Sequence, residues 1–266
     1  MKHPRCTVFL LSTIFLLFAA CDTASTSPPV ILKIFAASSL KAPFTEIKSK
    51  YEATNAGVSI TYDFDGSQIL ENQLASGAAA DVFASADQLH MQKASDAGLV
   101  RTSQIFAKNK LIVLVPISNA AKIYTLKDLA NKGVKIDMAD PSVPAGQYGL
   151  QVLDNLGKSA DYGPAYENSV KANVVSRETN VEAVVQKVQL GEVDAGIVYQ
   201  TDVTPAIANK VVAIEIPTNF NVIGEYPIAV TKNTAHANEA QAFVRYLLSS
   251  DGQAILTKYH FSTAGK

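Results

Sequence analysis

Four times along the chain, an apolar strand-like run ends in small or hydroxylated residues and passes directly into an amphipathic helical stretch. Such alternation of strands and helices is typical of α/β proteins, in which helices cover a largely parallel sheet. From Ile31 onward the alternation continues without an internal repeat or low-complexity segment. The sequence therefore predicts an α/β fold.

The four strand–helix junctions share one composition. They offer small, hydroxyl or amide residues and no Lys or Arg, at Ser38 and Ser39, Gly66 and Ser67, Ala145 and Gly146, and Thr179 and Asn180. A helix start leaves its first backbone N–H groups without intrahelical partners and carries the positive end of the helix dipole. Neutral donors at such starts are suited to bind an anion. The simpler alternative is that these residues are ordinary N-caps without a ligand.

The apolar pattern predicts the other elements. Strands are expected at 81–85, 134–139, 195–199, 211–216 and 226–230, and at 111–115, whose continuous apolar run is typical of a strand covered on both faces. Helices are expected at 125–131, 237–248 and 252–259. A further helix begins near Tyr148 and ends at Gly157, and Asp87 caps one that ends near Gly98.

The amino terminus has the pattern of a secretory signal. A charged start is followed by an apolar run over 6–20 that is too short for a convincing transmembrane helix. We therefore expect a signal peptide at 1–20. The run closes with Phe-Ala-Ala-Cys (18–21), which resembles the lipobox of bacterial lipoproteins, with Phe where Leu is usual, and this implies lipidation of Cys21 and a tether at 21–29. The alternative is ordinary signal cleavage with Cys21 incidental.

The cysteines, and Asp22 after Cys21, indicate where in the cell the protein is located. Only Cys6 and Cys21 are present, so the mature chain has no partner for a structural disulfide. In a Gram-negative host, Asp22 resembles the signal that keeps lipoproteins at the inner membrane. The expected location is periplasmic or extracytoplasmic, with a lipid anchor in the inner (cytoplasmic) membrane.

The charge of the chain argues against nucleic acid as a partner. Removing residues 1–20 takes away Lys2 and Arg5 and no acidic residue, so the net charge falls from −1 to −3. Binding to a phosphate backbone depends on clustered Lys and Arg, which this sequence does not have. A bound anion would therefore be held by local dipoles.

Catalysis is the less favoured function. The mature chain has three histidines, His90, His236 and His260, and none lies in the junctions. There is no Gly-x-Ser-x-Gly elbow and no His or Cys spacing typical of a metal site. The Gly-Lys-Ser at 157–159 lacks the earlier glycine of a phosphate-binding loop, since position 152 is Val. We expect neither a cofactor nor a bound metal cation, although a hydrolase remains an alternative.

Five segments together resemble the periplasmic molybdate-binding proteins of ABC importers, over about residues 30–261. They are Ala-Ala-Ser-Ser-Leu (36–40), Phe-Asp-Gly-Ser (64–67), Gly-Ala-Ala-Ala-Asp-Val-Phe-Ala-Ser-Ala-Asp (77–87), Asp-Pro-Ser-Val-Pro-Ala-Gly-Gln-Tyr (140–148) and Gly-Ile-Val-Tyr-Gln-Thr-Asp (196–202). The third is shared more widely among oxyanion-binding relatives. Val-Pro-Ala-Gly-x-Tyr and Gly-Ile-Val-Tyr are more particular to the family.

The resemblance implies a two-lobed periplasmic-binding-protein (type II) fold, each lobe a mostly parallel mixed sheet flanked by helices. Lobe 1 would comprise 30–109 and 225–266, and lobe 2 would comprise 110–224. The oxyanion would be held by the hydroxyls of Ser39 and Ser67, the main-chain N–H groups of Ala145 and Val181, and the phenol of Tyr199. Each has a simpler alternative: a plain cap for the serines, a small turn residue, a core residue, and a half-buried aromatic with its hydroxyl in water.

By the same resemblance the chain would be a monomer that binds molybdate or tungstate and delivers it to the membrane permease of an ABC importer. Alternatives are a receptor for sulfate or phosphate and a tethered two-lobe module without a small ligand. Asp65 departs from the small or hydroxylated residue usual at its position. We expect its carboxylate to turn outward or to accept N–H bonds at its own helix start, because facing a dianion would cost binding energy.

Overall fold

The computed structural model describes Met1 and residues 29–263, so the predicted signal peptide, Cys21 and the tether up to residue 28 lie outside it. In that part of the chain the strands are Val30–Ala37 (β1), Val58–Asp65 (β2), Val82–Ala84 (β3), Gln104–Pro116 (β4), Ile136–Ala139 (β5), Val174–Glu178 (β6), Ala195–Tyr199 (β7), Val211–Glu215 (β8), Ile223–Val230 (β9) and Ser262–Thr263 (β10). The helices are Lys41–Thr54 (α1), Ser67–Ala75 (α2), Gln88–Asp96 (α3), Pro144–Gly157 (α4), Gly163–Ala172 (α5), Val181–Leu190 (α6), Ala237–Leu248 (α7) and Ser250–Lys258 (α8). Short 3-10 turns occupy Ser38–Leu40, Leu126–Ala130 and Gln200–Asp202.

One long strand, β4, connects two sets of strands. Its residues 104–110 pair with β9, and its residues 111–116 pair with β7 and β8. The overall order is β2-β1-β3-β9-β4-β7-β5-β6, with β8 and β10 also paired to β4. We call β1, β2, β3, β9, β10 and the start of β4 the β1 half, and the end of β4 with β5, β6, β7 and β8 the β5 half. Pairing is parallel around β1 and β5 and antiparallel along β4, so the sheet is mixed.

The junctions fold as the sequence predicts. Residues 111–115 are fully or almost fully buried, as a strand covered on both faces requires. Helix α6 buries the valine stripe that starts at Val181, and its N-cap Asn180 accepts a hydrogen bond from the Ala183 N–H. Pro144 stands in the first turn of α4, and Asp87 caps α3 by accepting from the His90 N–H. The predicted α/β class is confirmed.

Other boundaries differ from the prediction. Strand β4 begins seven residues before the predicted 111, β9 begins before 226, and the strand predicted from 134 begins at Ile136. Helix α5 and strand β6 were not predicted. Gly157 is the last residue of α4, as predicted, but it is not in a left-handed conformation, and an added Cβ would collide with the Glu167 side chain of α5. This glycine therefore serves helix–helix packing.

Candidate functional site

A small cavity lies where the carboxyl ends of β1, β2, β5 and β7 meet the helix starts of both halves. All five predicted site residues line it: Ser39, Ser67, Ala145, Val181 and Tyr199. The cavity measures about 10 Å³ as space for the centre of a water-sized sphere. That space is on the scale of a water molecule or a small ion. The structure thus brings the predicted residues together from separate parts of the chain.

Ser39 lies in the 3-10 turn after β1 and is nearly buried. Neither Ser38 nor Ser39 makes a side-chain cap hydrogen bond to this turn or to α1, so the plain-cap alternative is wrong for both. The Ser39 Oγ lies 3.0 Å from the Tyr226 hydroxyl, and either group can donate.

A buried polar chain behind Ser39 favours one direction for that hydrogen bond. The Asn109 Oδ1 accepts from the Lys110 N–H, which identifies its other side-chain atom as the donor Nδ2. This Nδ2 donates to the Tyr226 hydroxyl over 3.2 Å and to the Thr201 Oγ1 over 2.7 Å. Because Tyr226 accepts from Asn109, its own proton can go to Ser39, which leaves the Ser39 proton for the cavity.

Ser67 is the first residue of α2, whose N-cap is Gly66, so it too is not a cap. Its Oγ accepts a 2.9 Å hydrogen bond from the Ala86 N–H. A hydroxyl that accepts in this way keeps its proton available for another acceptor. Ser67 is 1% exposed, so a ligand in the cavity would be the natural acceptor.

Ala145 and Val181 present main-chain N–H groups in the first turns of α4 and α6. Groups at these positions have no intrahelical acceptor. Gly146, beside Ala145, serves the local fold. An added Cβ on Gly146 would collide with the carbonyl oxygens of Ala139 and Asp140, so this glycine permits the tight turn between β5 and α4.

Tyr199 ends β7 and is 1% exposed, which contradicts the alternative of a half-buried ring with its hydroxyl in water. Its hydroxyl is buried and makes no hydrogen bond of normal geometry among the described residues, although the Tyr226 phenol lies close to it. Burial raises the pKa of this phenol well above its ordinary value, with the Tyr226 and Tyr148 phenols adding to the effect. The group therefore stays protonated and offers a donor.

Asp65 also lines the cavity, but its Oδ1 is occupied. It accepts from the Gly66 N–H over 2.8 Å and from the Asn180 Nδ2 over 3.0 Å. The first contact is the expected one at its own helix start. The second was not expected, because Asn180 belongs to the β5 half.

The residues that line the cavity carry neutral hydrogen-bond donors. They include the two predicted serines, a tyrosine and two residues with main-chain N–H groups in first helical turns, and no Lys, Arg or His is among them. Within 29–263, no cluster of three or more His, Cys, Asp or Glu side chains is suited to hold a metal ion. Over the same residues, no helix combines the length and the apolar character needed to cross a membrane.

Sequence reasoning missed Tyr226, Asn109 and Thr201. Their contacts with one another and with Ser39 join residues that are far apart in sequence, so the pattern of neighbouring residues does not indicate them. A weak signal exists for Tyr226, a phenol followed by an apolar run in β9, but not for Asn109, which stands between two lysines in β4.

The chain is similar to known bacterial solute-binding proteins in both sequence and structure. A family model described as bacterial extracellular solute-binding protein matches residues 32–262. The molybdate-binding protein ModA of Mycobacterium tuberculosis is 35% identical over 230 residues, covering 86% of this chain and 83% of that protein. A Bacillus subtilis protein, YvgL, provisionally named as an ABC transporter substrate-binding lipoprotein, is 32% identical over 94% of this chain and 95% of its own length. The periplasmic molybdate-binding protein of Azotobacter vinelandii superposes with a TM-score of 0.74 at 22% identity, over 87% of this chain and 98% of that one, which confirms the predicted periplasmic-binding-protein fold.

Proposed function

Since the chain belongs to the family of bacterial extracellular solute-binding proteins, we propose that its solute is molybdate, captured outside the cytoplasmic membrane. Ser39, Ser67 and Tyr199 donate through hydroxyls, and Ala145 and Val181 through main-chain N–H groups. The ModA relative, named for molybdate binding, supports this choice of ligand.

The Tyr199 hydroxyl, buried and without a hydrogen bond of normal geometry among the described residues, is the observation that carries the proposal. Leaving a buried donor unsatisfied costs about 1–3 kcal/mol. A ligand oxygen in the cavity would remove that cost. Molybdate brings four oxygens and no proton, so it fits a cavity that offers donors. The Asp65 Oδ1 already accepts from Gly66 and Asn180.

The binding site is placed between two lobes that close over the anion. We assign 30–109 and 225–266 to lobe 1 and 110–224 to lobe 2. The change of pairing partner in β4 after residue 110 supports the first crossing. Beside it, Asn221 donates to the Leu111 carbonyl over 2.7 Å and accepts from the Leu111 N–H over 3.1 Å, which ties the two crossing segments together.

Tungstate should bind at the same site, because its charge, shape and size nearly coincide with those of molybdate. The loaded protein would deliver the anion to the membrane permease of an ABC importer as a monomer. Lipidation of Cys21 would hold it at the cytoplasmic membrane, and the lipoprotein name of YvgL supports that anchor. The chemistry is hydrogen-bond capture without a covalent step.

Isothermal titration of residues 22–266 with molybdate, tungstate, sulfate and phosphate tests the assignment. We expect tight one-to-one binding of molybdate and tungstate and weaker binding of sulfate and phosphate. Tighter binding of sulfate or phosphate would assign the site to that anion. Recovery of unchanged molybdate after long incubation is expected of a receptor.

A further inference from the structure

Three side-chain contacts that involve none of the five proposed anion donors join the two halves of the sheet beside the cavity. The Asn180 Nδ2 donates to the Asp65 Oδ1 over 3.0 Å, and the Gln68 Nε2 donates to the Thr179 carbonyl over 2.7 Å. A third pair, at 2.6 Å, is formed by Lys41 and Glu182. We propose that these six residues form a latch that stabilises the closed form of the two halves, so that a larger fraction of the ligand-free protein is closed and the anion completes the closure.

The three contacts differ in weight. Asp65 and Asn180 are half-buried, and the carboxylate makes their hydrogen bond charge-assisted. Gln68 donates to a backbone carbonyl, so this hydrogen bond depends on the position of the main chain just before α6. Lys41 and Glu182 are substantially exposed, and exposed ion pairs contribute little. The two amide contacts therefore dominate the latch.

Gly66 makes this closure possible. An added Cβ would lie 2.5 Å from the Thr179 carbonyl oxygen, a backbone atom in the β5 half. The other close atoms belong to the end of the Gln68 side chain, which can move. The backbone of Gly66 has φ −61° and ψ 140°, a conformation open to any residue. Glycine is therefore needed here because it lacks a Cβ and lets the two halves approach each other. Its backbone conformation would allow any other residue.

The latch also acts on the anion site, because Asn180 has two functions. Its Oδ1 accepts from the Ala183 N–H as the N-cap of α6, while its Nδ2 holds Asp65. The same side chain thus fixes the helix turn that presents the Val181 N–H and ties that turn to the opposite half. This part of the inference rests on the proposed function. The closure itself does not.

The consequence is a shift in population. If only the closed form has the complete donor set, the apparent association constant is the intrinsic one multiplied by the fraction of protein that is closed. A latch that keeps this fraction high without ligand makes capture tight at low anion concentration. Weakening it should lower affinity although every proposed anion donor is still present.

The test compares ligand-free proteins by small-angle X-ray scattering. Gly66→Ala inserts the obstructing Cβ, and Asn180→Asp keeps a good N-cap while placing a second carboxylate against Asp65. Gly57→Ala is the matched control, because its Cβ would meet no atom within 4 Å. Circular dichroism establishes that each variant is folded.

We expect wild type and Gly57→Ala to have the same radius of gyration. The latch variants, Gly66→Ala and Asn180→Asp, should have a larger radius of gyration and a molybdate Kd at least tenfold higher than that of wild type. Equal radii for all four ligand-free proteins would overturn the latch. A wild type as extended as the variants would also overturn it. A larger radius in the variants, with no molybdate binding by any protein, would retain the latch and reject the ligand.

Discussion

Tyr199 places a hydroxyl donor in the interior without a hydrogen bond of normal geometry to the described residues. Hydrogen bonds to charged partners contribute about 1.5–3 kcal/mol. Tyr199→Phe should therefore raise the molybdate Kd about tenfold to a hundredfold in isothermal titration. The unliganded variant should melt no lower than wild type, because the change removes an unsatisfied group.

Tyr124→Phe is the matched control for this prediction, since the Tyr124 side chain is 70% exposed and does not line the cavity. It should bind molybdate like wild type. An unchanged Kd in a folded Tyr199→Phe protein would exclude the phenol from the anion site.

Asp137 is a second buried group without a hydrogen bond of normal geometry within 29–263. Burial, and then the Glu178 carboxylate, raise the pKa of Asp137 to about 6 from an ordinary 3.8. A folded-state pKa above the unfolded one means that stability present below about pH 4 is lost as the pH rises through 6.

Asp137→Asn should remove that dependence. Between pH 4 and pH 8 the free energy of unfolding of wild type should fall relative to the variant, by at most about 3 kcal/mol at roughly 1.4 kcal/mol per pKa unit. Urea titrations at several pH values measure the difference. Parallel pH profiles for the two proteins would show that Asp137 ionises normally.

The contact between α4 and α5 gives a test that is independent of any ligand. Gly157→Ala should gain about 1 kcal/mol from helix propensity. The collision with Glu167 should outweigh this, because overpacking costs about 1–3 kcal/mol. We expect net destabilisation, with partial recovery in the double variant Gly157→Ala, Glu167→Ala.

Glu167→Ala alone serves as the control, since its ion pair with Lys171, four residues along the same helix, contributes little. Chemical denaturation of the four proteins completes the cycle. A more stable Gly157→Ala protein would mean that the glycine does not serve this packing.

Local sequence patterns predict some of the helices and strands and miss others. Helix α6 and the apolar part of β4 were predictable because their apolar residues recur with a clear period or run. The start of β4 carries Lys108, Asn109 and Lys110, so this strand was predicted too short. Strand β6 has no regular alternation of apolar and polar residues, so it was not predicted. Ser39, Ser67 and Ala145 could be proposed from local sequence at helix starts. Val181 and Tyr199 were proposed only from the family resemblance, and Tyr226 reaches Ser39 only through the tertiary fold.

The proposed attachment to the membrane depends on Cys21, near the amino terminus. Acylation of Cys21 adds more than one hydrocarbon chain, which is sufficient for stable anchoring. Cys21→Ser should move the protein from the membrane fraction to the soluble extracytoplasmic fraction or block its processing, as measured by fractionation and immunoblotting. The conversion Cys6→Ser, inside the predicted signal, is the control and should leave the mature protein in membranes. Wild-type protein found soluble and unmodified would contradict the anchor.

The lack of cationic side chains in the cavity lining has a consequence for the speed of capture. The lining has no Lys or Arg, and residues 21–266 carry a net charge of −3. Long-range attraction accelerates association only between opposite charges, and here protein and dianion repel each other. Added salt screens that repulsion. Stopped-flow association with molybdate should therefore become faster as sodium chloride rises from 10 to about 150 mM, where the Debye length shortens to about 8 Å. A rate that falls over this range would reveal an attractive field at the mouth of the cleft.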